Sequence, residues 1–283
     1  MKKFLSAVAS ALLVGTLFVG CGDSPSKEQS SEQQQQSVVT VGMISSLNMS
    51  EQKINATLQS MYAPNLNGNF VYYDNLNSLL MGLNSNSVDE ISIYKSVADY
   101  LIARDQNLKV DDTHKLKLNL QDKFCCAVKS GNEELLNDLN GAIKSMNEDG
   151  TLDNLIKQYI TDFKAGEEPA AVKMPNVPEY QTLKVAVTGD LPPLDLIKAD
   201  GTPAGFNTAV LAEISSRIGK NFELVSIDSA ARASALASGK VDIVFWVRVP
   251  NSSDLFPVDF DRPSGIDVSD YYFIDEIVHV TKK

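Results

Sequence analysis

Few residues in this chain could do chemistry, and they are scattered. The only histidines, His114 and His279, stand far apart in unrelated contexts. Cysteine occurs at Cys21 and at the adjacent pair Cys125 and Cys126. Neighbouring cysteines do not readily bridge each other, and the FCCAV setting reads as a buried strand with core thiols, so no disulfide framework is expected. No His/Cys cluster has metal-ligand spacing, and no nucleophile elbow, phosphate loop or zinc-protease helix is present. The sequence therefore predicts no metal, no cofactor and no catalysis. Arg248 and Arg262 carry guanidinium groups, which pair readily with carboxylates. The plainer reading pairs them with the acids of the same loop, Asp254, Asp259 and Asp261. Trp246, the only tryptophan, suits a pocket wall and a core equally well.

The N-terminus speaks about location. Met1-Lys2-Lys3 precedes an apolar stretch, Phe4 to Gly20, that is short and rich in Ala, Ser and Gly. That pattern predicts a secretory signal over residues 1–20 rather than a membrane span. The run LFVGC resembles the lipobox of bacterial lipoproteins, whose cysteine is lipidated and becomes the mature N-terminus. Cys21 would then carry the anchor, although Phe18 and Val19 stand where that motif prefers Leu and a small residue. The alternative is plain secretion. Residues 21–37 have no large apolar side chain after the cysteine and read as a flexible tether. The formal net charge is −11, and Lys2 and Lys3 leave with the signal, so the mature chain carries −13. Such a surface disfavours nucleic acid as a partner.

The elements that must position these residues fall into two stretches joined by a connector. Residues 38–130 alternate strand and helix: VVTVGMI, then a helix capped by Ser45, Ser46 or Ser50, then NFVYYD, a short helix, DEISIY, the helix SVADYLIARD and the strand KFCCAVK. A helix, a turn at Asp149-Gly150 and a second helix occupy 131–163, with Leu135, Leu136, Leu139, Ile143 and Met146 on one face. The proline-bearing connector spans 164–182. Residues 183–283 repeat the alternation: LKVAVTG, a Pro192-Pro193 loop, the helix GFNTAVLAEISSRIG, FELVSI, the helix SAARASALASG, VDIVFWV, a polar loop and YYFIDEIVHVTKK. Alternation of this kind predicts mainly parallel, doubly wound sheets.

These strings resemble the family 3 extracellular solute-binding proteins, the amino-acid-type receptors of ABC importers. LKVAVTGDLPPLDLIKADGTPAGFNTAVLAEISSRIG is similar to that family's opening, ALASGKVDIVF to its helix–strand unit and VSDYYF to its "FSdpYy" element. FVYYDNLNSLLMGLNSNSVDEISIYKSVADYL is similar to its second lobe, and LLNDLNGAIKSMNEDGTLDNLIKQYI to its C-terminal helix pair. The order differs, since the second-lobe-like part (38–130) comes first, the helices (131–163) pack on the other lobe, and the first-lobe-like part (183–283) comes last. The resemblance thus implies an α/β, two-lobed periplasmic-binding-protein-like (type II) clamshell, circularly permuted, with its hinge made where Phe124–Lys129 pairs with Ile277–Thr281. Two tandem degenerate halves, or a strand swapped between protomers, are the alternatives. The implied function is a lipid-anchored, monomeric solute-binding protein that closes on a small polar or amino-acid-like solute and docks on an ABC permease. A non-transporting sensor or surface module with an altered pocket is the second reading.

Ligands of such folds lie beyond the C-terminal ends of the strands. The residues implied are Ser45, Ser46, Asn48, Tyr94, Asp190, Leu191, Leu194, Trp246 and Arg248. A helix after the Ser45-Ser46 loop would aim backbone N–H groups at an anion. The family's carboxylate-gripping arginine falls near Asp254, and its ammonium-binding aspartate falls at Tyr94, so both anchors for a free amino acid are altered. Arg248 or Arg262 would have to replace the first. Asp89 and Asp242, in the two "vD" units, are expected to be structural.

Overall fold

The computed structural model describes residues 39–62, 68–111, 120–164, 166–251 and 259–283. Cys21, His114 and Asp254, the signal and the tether lie outside these residues. The N-terminal half runs β1 (Val39–Ile44), α1 (Glu51–Tyr62), β2 (Gly68–Tyr73), α2 (Leu76–Asn84), β3 (Glu90–Tyr94), α3 (Lys95–Arg104) and β4 (Leu108–Val110). Then come β5 (Gln121–Lys129) and the helices α4 (Glu133–Glu148) and α5 (Thr151–Ile156). The C-terminal half runs β6 (Thr182–Val187), a small hairpin of β7 (Asp190–Leu191), β8 (Asp195–Ile197) and β9 (Pro203–Ala204), α6 (Phe206–Ile218), β10 (Asn221–Ser226), α7 (Arg232–Ala237), β11 (Ile243–Pro250) and β12 (Ile266–Lys282).

Both halves wind the same way. Strands β2, β1 and β3 lie parallel in that order, and so do β10, β6 and β11. In each half the first strand lies in the middle, and β3 or β11 borders the rest of the sheet. The aspartates of the two "vD" units occupy matching places. Asp89 accepts from Thr40 N at 2.8 Å, and Asp242 accepts from Lys184 N at 2.8 Å. Each is structural, closing the turn between a strand and its parallel neighbour.

The expected mainly parallel pair of sheets is therefore incomplete as a description. The two parallel triplets are joined by an antiparallel pair, β5 and β12, into one nine-stranded sheet with the order β10-β6-β11-β5-β12-β3-β1-β2 and β4 beside β12. The hinge pairing also differs from expectation. Strand β5 pairs with residues 266–276 of β12, and Ile277–Thr281 pairs with β3 instead. The reason is the length of β12. Its 17 residues run past the end of β5 and continue into the other half.

Local sequence explains the elements. Ser50 caps α1, its Oγ accepting from Lys53 N; Asn75 caps α2 and Asn132 caps α4. The α4 face formed by Leu135, Leu139, Ile143 and Met146 is buried against α6 and β12. Arg217 of α6 locks that contact from outside, donating to Ser145 and Thr151 and pairing with Asp149 at 2.8 Å. The connector is tied down too. Asn221 holds Val177 through both its backbone N–H and its carbonyl at 2.8 Å, and Val172 N donates to Pro203 O. Cys125 and Cys126 are buried free thiols in β5, and burial raises the Cys125 pKa to about 12.

Bulges place the large aromatics. The register of β11 against β5 slips at Trp246, and that of β12 slips twice, on either side of Tyr271. A bulge leaves a ladder group unpaired and re-aims a side chain. Ser269 Oγ accepts from Cys126 N at 2.9 Å, and Tyr272 stacks on Phe245 with ring centres 4.9 Å apart.

Gly205, at the start of α6, has φ +99°, and a Cβ there would meet the carbonyls of Pro193 and Leu194 at under 3 Å. Those carbonyls accept from the first α6 amides, Phe206 N and Asn207 N. Gly205→Ala is therefore expected to cost about 1–3 kcal/mol through backbone strain alone. Chemical denaturation of the variant and the parent chain checks this, and equal midpoints would refute it.

Candidate functional site

Three aspartates from the C-terminal half reach the N-terminal ends of helices in the N-terminal half. An α-helix or tight turn leaves its first N–H groups without partners, and a carboxylate is the best acceptor for them. Asp261 lies on the turn before β12 and is almost fully buried. Its two oxygens accept from Leu47 N (2.9 Å), Asn48 N (2.8 Å) and Met49 N (2.9 Å), in the loop leading into α1. Asp190 accepts from Leu76 N at 2.8 Å, at the start of α2. Asp275 accepts from Ser96 Oγ at 2.5 Å and Ser96 N at 3.4 Å, in the first turn of α3.

Arg248, on β11, completes the first contact. Its Nε lies 3.5 Å from Asp261 Oδ2, and its Nη2 donates to Ser46 Oγ. Burial works against the Arg248 charge, but Asp261, Tyr94 and Asp122 outweigh it and hold its pKa above the ordinary guanidinium value. Charge-assisted hydrogen bonds contribute roughly 1.5–3 kcal/mol each, and removing one partner of a buried pair costs more because the other is left stranded.

Aromatic rings fill the space behind this pair. Tyr94, at the end of β3, packs edge-on against Phe124 (4.8 Å between centres) and Trp246 (5.8 Å), and its hydroxyl donates to Asp122 at 2.9 Å. Burial, then the neighbouring Asp122 charge, pushes the Tyr94 pKa well up. Trp246 is 4 % exposed. Beneath it lies Arg232, also 4 % exposed, with its guanidinium 5.0 Å from the indole ring centre and Nη1 donating to the carbonyls of Phe245 and Trp246. Burial lowers the Arg232 pKa to about 10. Its Nε is buried without a hydrogen-bond partner.

The residues named from the sequence are thus distributed unevenly. Ser46, Asn48, Tyr94, Trp246 and Arg248 gather around the Asp261 contact, and Ser45 lines the same cavity. Asp190 makes its own contact at α2. Leu191 and Leu194 are fully buried in the main core and present no surface to a ligand, because the α6 N-terminus folds over them. Arg262 is exposed, and its backbone carbonyl accepts from Asn48 Nδ2. Sequence reasoning passed over Arg232 and the carboxylate role of Asp261. Arg232 had a signal, since it shares the inward helical spacing of Ala235 and Leu236. For Asp261 the sequence offered only a choice among loop acids to pair with Arg248, because the backbone groups that it accepts from lie more than two hundred residues away.

Two cavities flank the Arg248–Asp261 pair, of about 50 Å³ and about 60 Å³. Solute sites ordinarily enclose roughly 300–1,000 Å³. Both cavities are smaller than that, and among the described residues Arg248, Asp261, Tyr94 and Trp246 occupy the crevice around them. Among the described residues there is no group of three His, Cys, Asp or Glu that could hold a metal ion.

The hairpin before α6 and the helix–strand unit leading into β11 fall within the stretch that a family comparison detects. Residues 183–251 match the bacterial extracellular solute-binding proteins, family 3. The solute-binding resemblance read from the sequence is shown by that stretch. No curated protein matches the chain. Solved structures similar to it include the GluR0 ligand-binding core from Nostoc punctiforme in complex with L-glutamate (11 % identity, 87 % of this chain and 85 % of that one, TM-score 0.38). A nutrient binding protein from Burkholderia cenocepacia bound to methionine gives 11 %, 87 %, 85 % and 0.42. The Bordetella pertussis BvgS VFT2 domain gives 12 %, 87 %, 80 % and 0.40.

The buried acids make stability depend on pH. Burial raises the Asp275 pKa to about 6, against about 3.9 in an unfolded chain. An acid raised in this way gains a proton on folding. Its contribution is present below the unfolded value and is lost as pH rises through about 6. Burial raises Asp190 and Asp122 in the same direction. Asp275→Asn is therefore expected to gain melting temperature relative to the parent chain as pH climbs from about 4 to about 7. A difference that stays flat across a pH series would refute the assignment.

Proposed function

We propose that the chain is an exported, lipid-anchored solute-binding protein in which two α/β halves close on a small polar solute. The family match over residues 183–251 carries this reading. The same winding in the N-terminal half supplies the second lobe. In this reading the lobe order is circularly permuted: 38–130 plays the second lobe, 131–163 the terminal helices, 164–182 the joint between ancestral ends and 183–283 the first lobe. The hinge is β5 with β12, and the chain acts as a monomer. The solute enters where Ser45, Ser46, Tyr94, Trp246 and Arg248 meet, and closure presents one continuous surface to an ABC permease. No catalytic step is involved.

The occupied crevice favours a second reading. A module already closed on its own side chains suits a sensor or surface contact element that keeps the solute-binding fold without transport.

The anchor and the ligand are tested separately. Expressed in bacteria with its full N-terminus, the chain is expected to partition into detergent, and Cys21→Ser to move it to the aqueous phase. Equal partitioning of the two would remove the anchor. A metabolite screen by thermal shift is expected to find a compound that raises the melting temperature, as any ligand specific to the folded state must. A screen that finds none, with no permease co-purifying from cross-linked membranes, would favour the second reading.

A further inference from the structure

We propose that Asp261 is an intramolecular ligand: it fills an anion cradle made by both halves and latches them shut. The cradle has a built character that a surface contact lacks. It offers three consecutive backbone N–H groups, from Leu47, Asn48 and Met49, all within 2.9 Å of one carboxylate. The Arg248 guanidinium reaches the same carboxylate and donates to the Ser46 hydroxyl beside those amides. The amides belong to the N-terminal half and the arginine to the C-terminal half, so a carboxylate between them joins the two.

The neighbouring residue fixes the carboxylate in place. Phe260 packs against the apolar cluster of Val41, Met49, Ile54, Leu58 and Phe70 under α1. That cluster is made of N-terminal-half residues alone, whereas Phe260 and Asp261 precede β12 in the C-terminal half. The turn therefore inserts a ring and a charge side by side into the other half. Both cavities end on the same pair, Arg248 and Asp261. Withdrawing Asp261 would uncover the amides and the guanidinium together. The chemistry that replaces it is a small carboxylate.

This inference goes beyond the solute-binding reading and can fail without it, since it concerns what closes the halves when nothing else is bound. The test uses the full chain, the variant Asp261→Ala, and sodium acetate against sodium chloride at matched ionic strength. Melting temperature and the radius of gyration from small-angle scattering are read. The variant is expected to melt lower and to be larger than the parent chain. Acetate is expected to recover most of both differences and chloride neither, while the parent chain responds to neither salt specifically. A variant with the parent's melting temperature and radius overturns the latch. So does a destabilised variant on which acetate and chloride act alike. Should Asp261→Ala not fold, amide hydrogen exchange on the parent chain decides. Leu47, Asn48 and Met49 are expected to exchange as slowly as β1, and exchange at the rate of an open loop overturns the proposal.

Discussion

Strand β12 is the constraint from which the rest of the architecture follows. Its first part pairs antiparallel with β5 and its last part with β3 and β4. A strand in the middle of a sheet must satisfy its backbone groups on both sides. By running across, β12 covers the edge that β3 would otherwise leave open and, through β5, joins the two parallel triplets. Strand β5 does the complementary service for β11. Each triplet thus receives an antiparallel neighbour from a segment that lies outside its own β–α–β–α–β run. That exchange fixes where the halves meet, at the point where β12 leaves β5 for β3, around Glu276 and Ile277.

Fixing the meeting place creates an electrostatic demand. Parallel strands of one winding deliver their following loops and helix N-termini to the same edge, so β1, β2 and β3 bring the N–H groups of the α1 loop, α2 and α3 to the crevice. In a closed form these donors lose water and need acceptors. Asp261, Asp190 and Asp275 supply them, and all three come from the segment that follows the connector. The arrangement is not free of cost. Burial raises the pKa of Asp190 and Asp275, which says that part of the charge solvation lost on closure is not recovered from the amides. Asp261 differs in having a guanidinium beside it.

Much of the fold was legible because it rests on local rules. The α4 face, the Ser50 cap, the FCCAV strand and the structural "vD" aspartates each follow from residues close together in the chain, and each is where the pattern put it. The continuous sheet was not legible. Nothing in YYFIDEIVHVTKK says that its first residues pair with β5 and its last with β3, because register depends on bulges at positions that a pattern of apolar residues does not mark. At the site, the position rule pointed to Ser46 and Tyr94, at or just beyond strand ends, and to Trp246 and Arg248, which lie within β11, and all four stand around Asp261. It also drew in Leu191 and Leu194, whose neighbours Pro193 and Gly205 turn the chain so that α6 covers them. The pairing of Arg248 with a loop acid was readable as a choice among Asp254, Asp259 and Asp261. The amides that select Asp261 were not.

The latch changes what ligand binding must accomplish. In an open clamshell, closure is driven by the ligand's own contacts, and the closed form is scarce without it. Here the closed form already satisfies the donors of α2, α3 and the α1 loop, so an entering solute competes with a tethered carboxylate. If the cradle were vacant in about 1 % of molecules, apparent affinity would fall about 100-fold below that of the vacant site. Selectivity then depends on what Asp261 cannot offer. A carboxylate alone only replaces it, whereas one carrying an apolar body would also meet Tyr94 and Trp246, which line the neighbouring cavity. On the proposed latch, a solute that merely matches Asp261 would leave the halves in the same geometry. For an importer that geometry would be a false signal of cargo. For a surface module it would be the working state, and the closed, self-occupied crevice is the physical ground on which the two functions part.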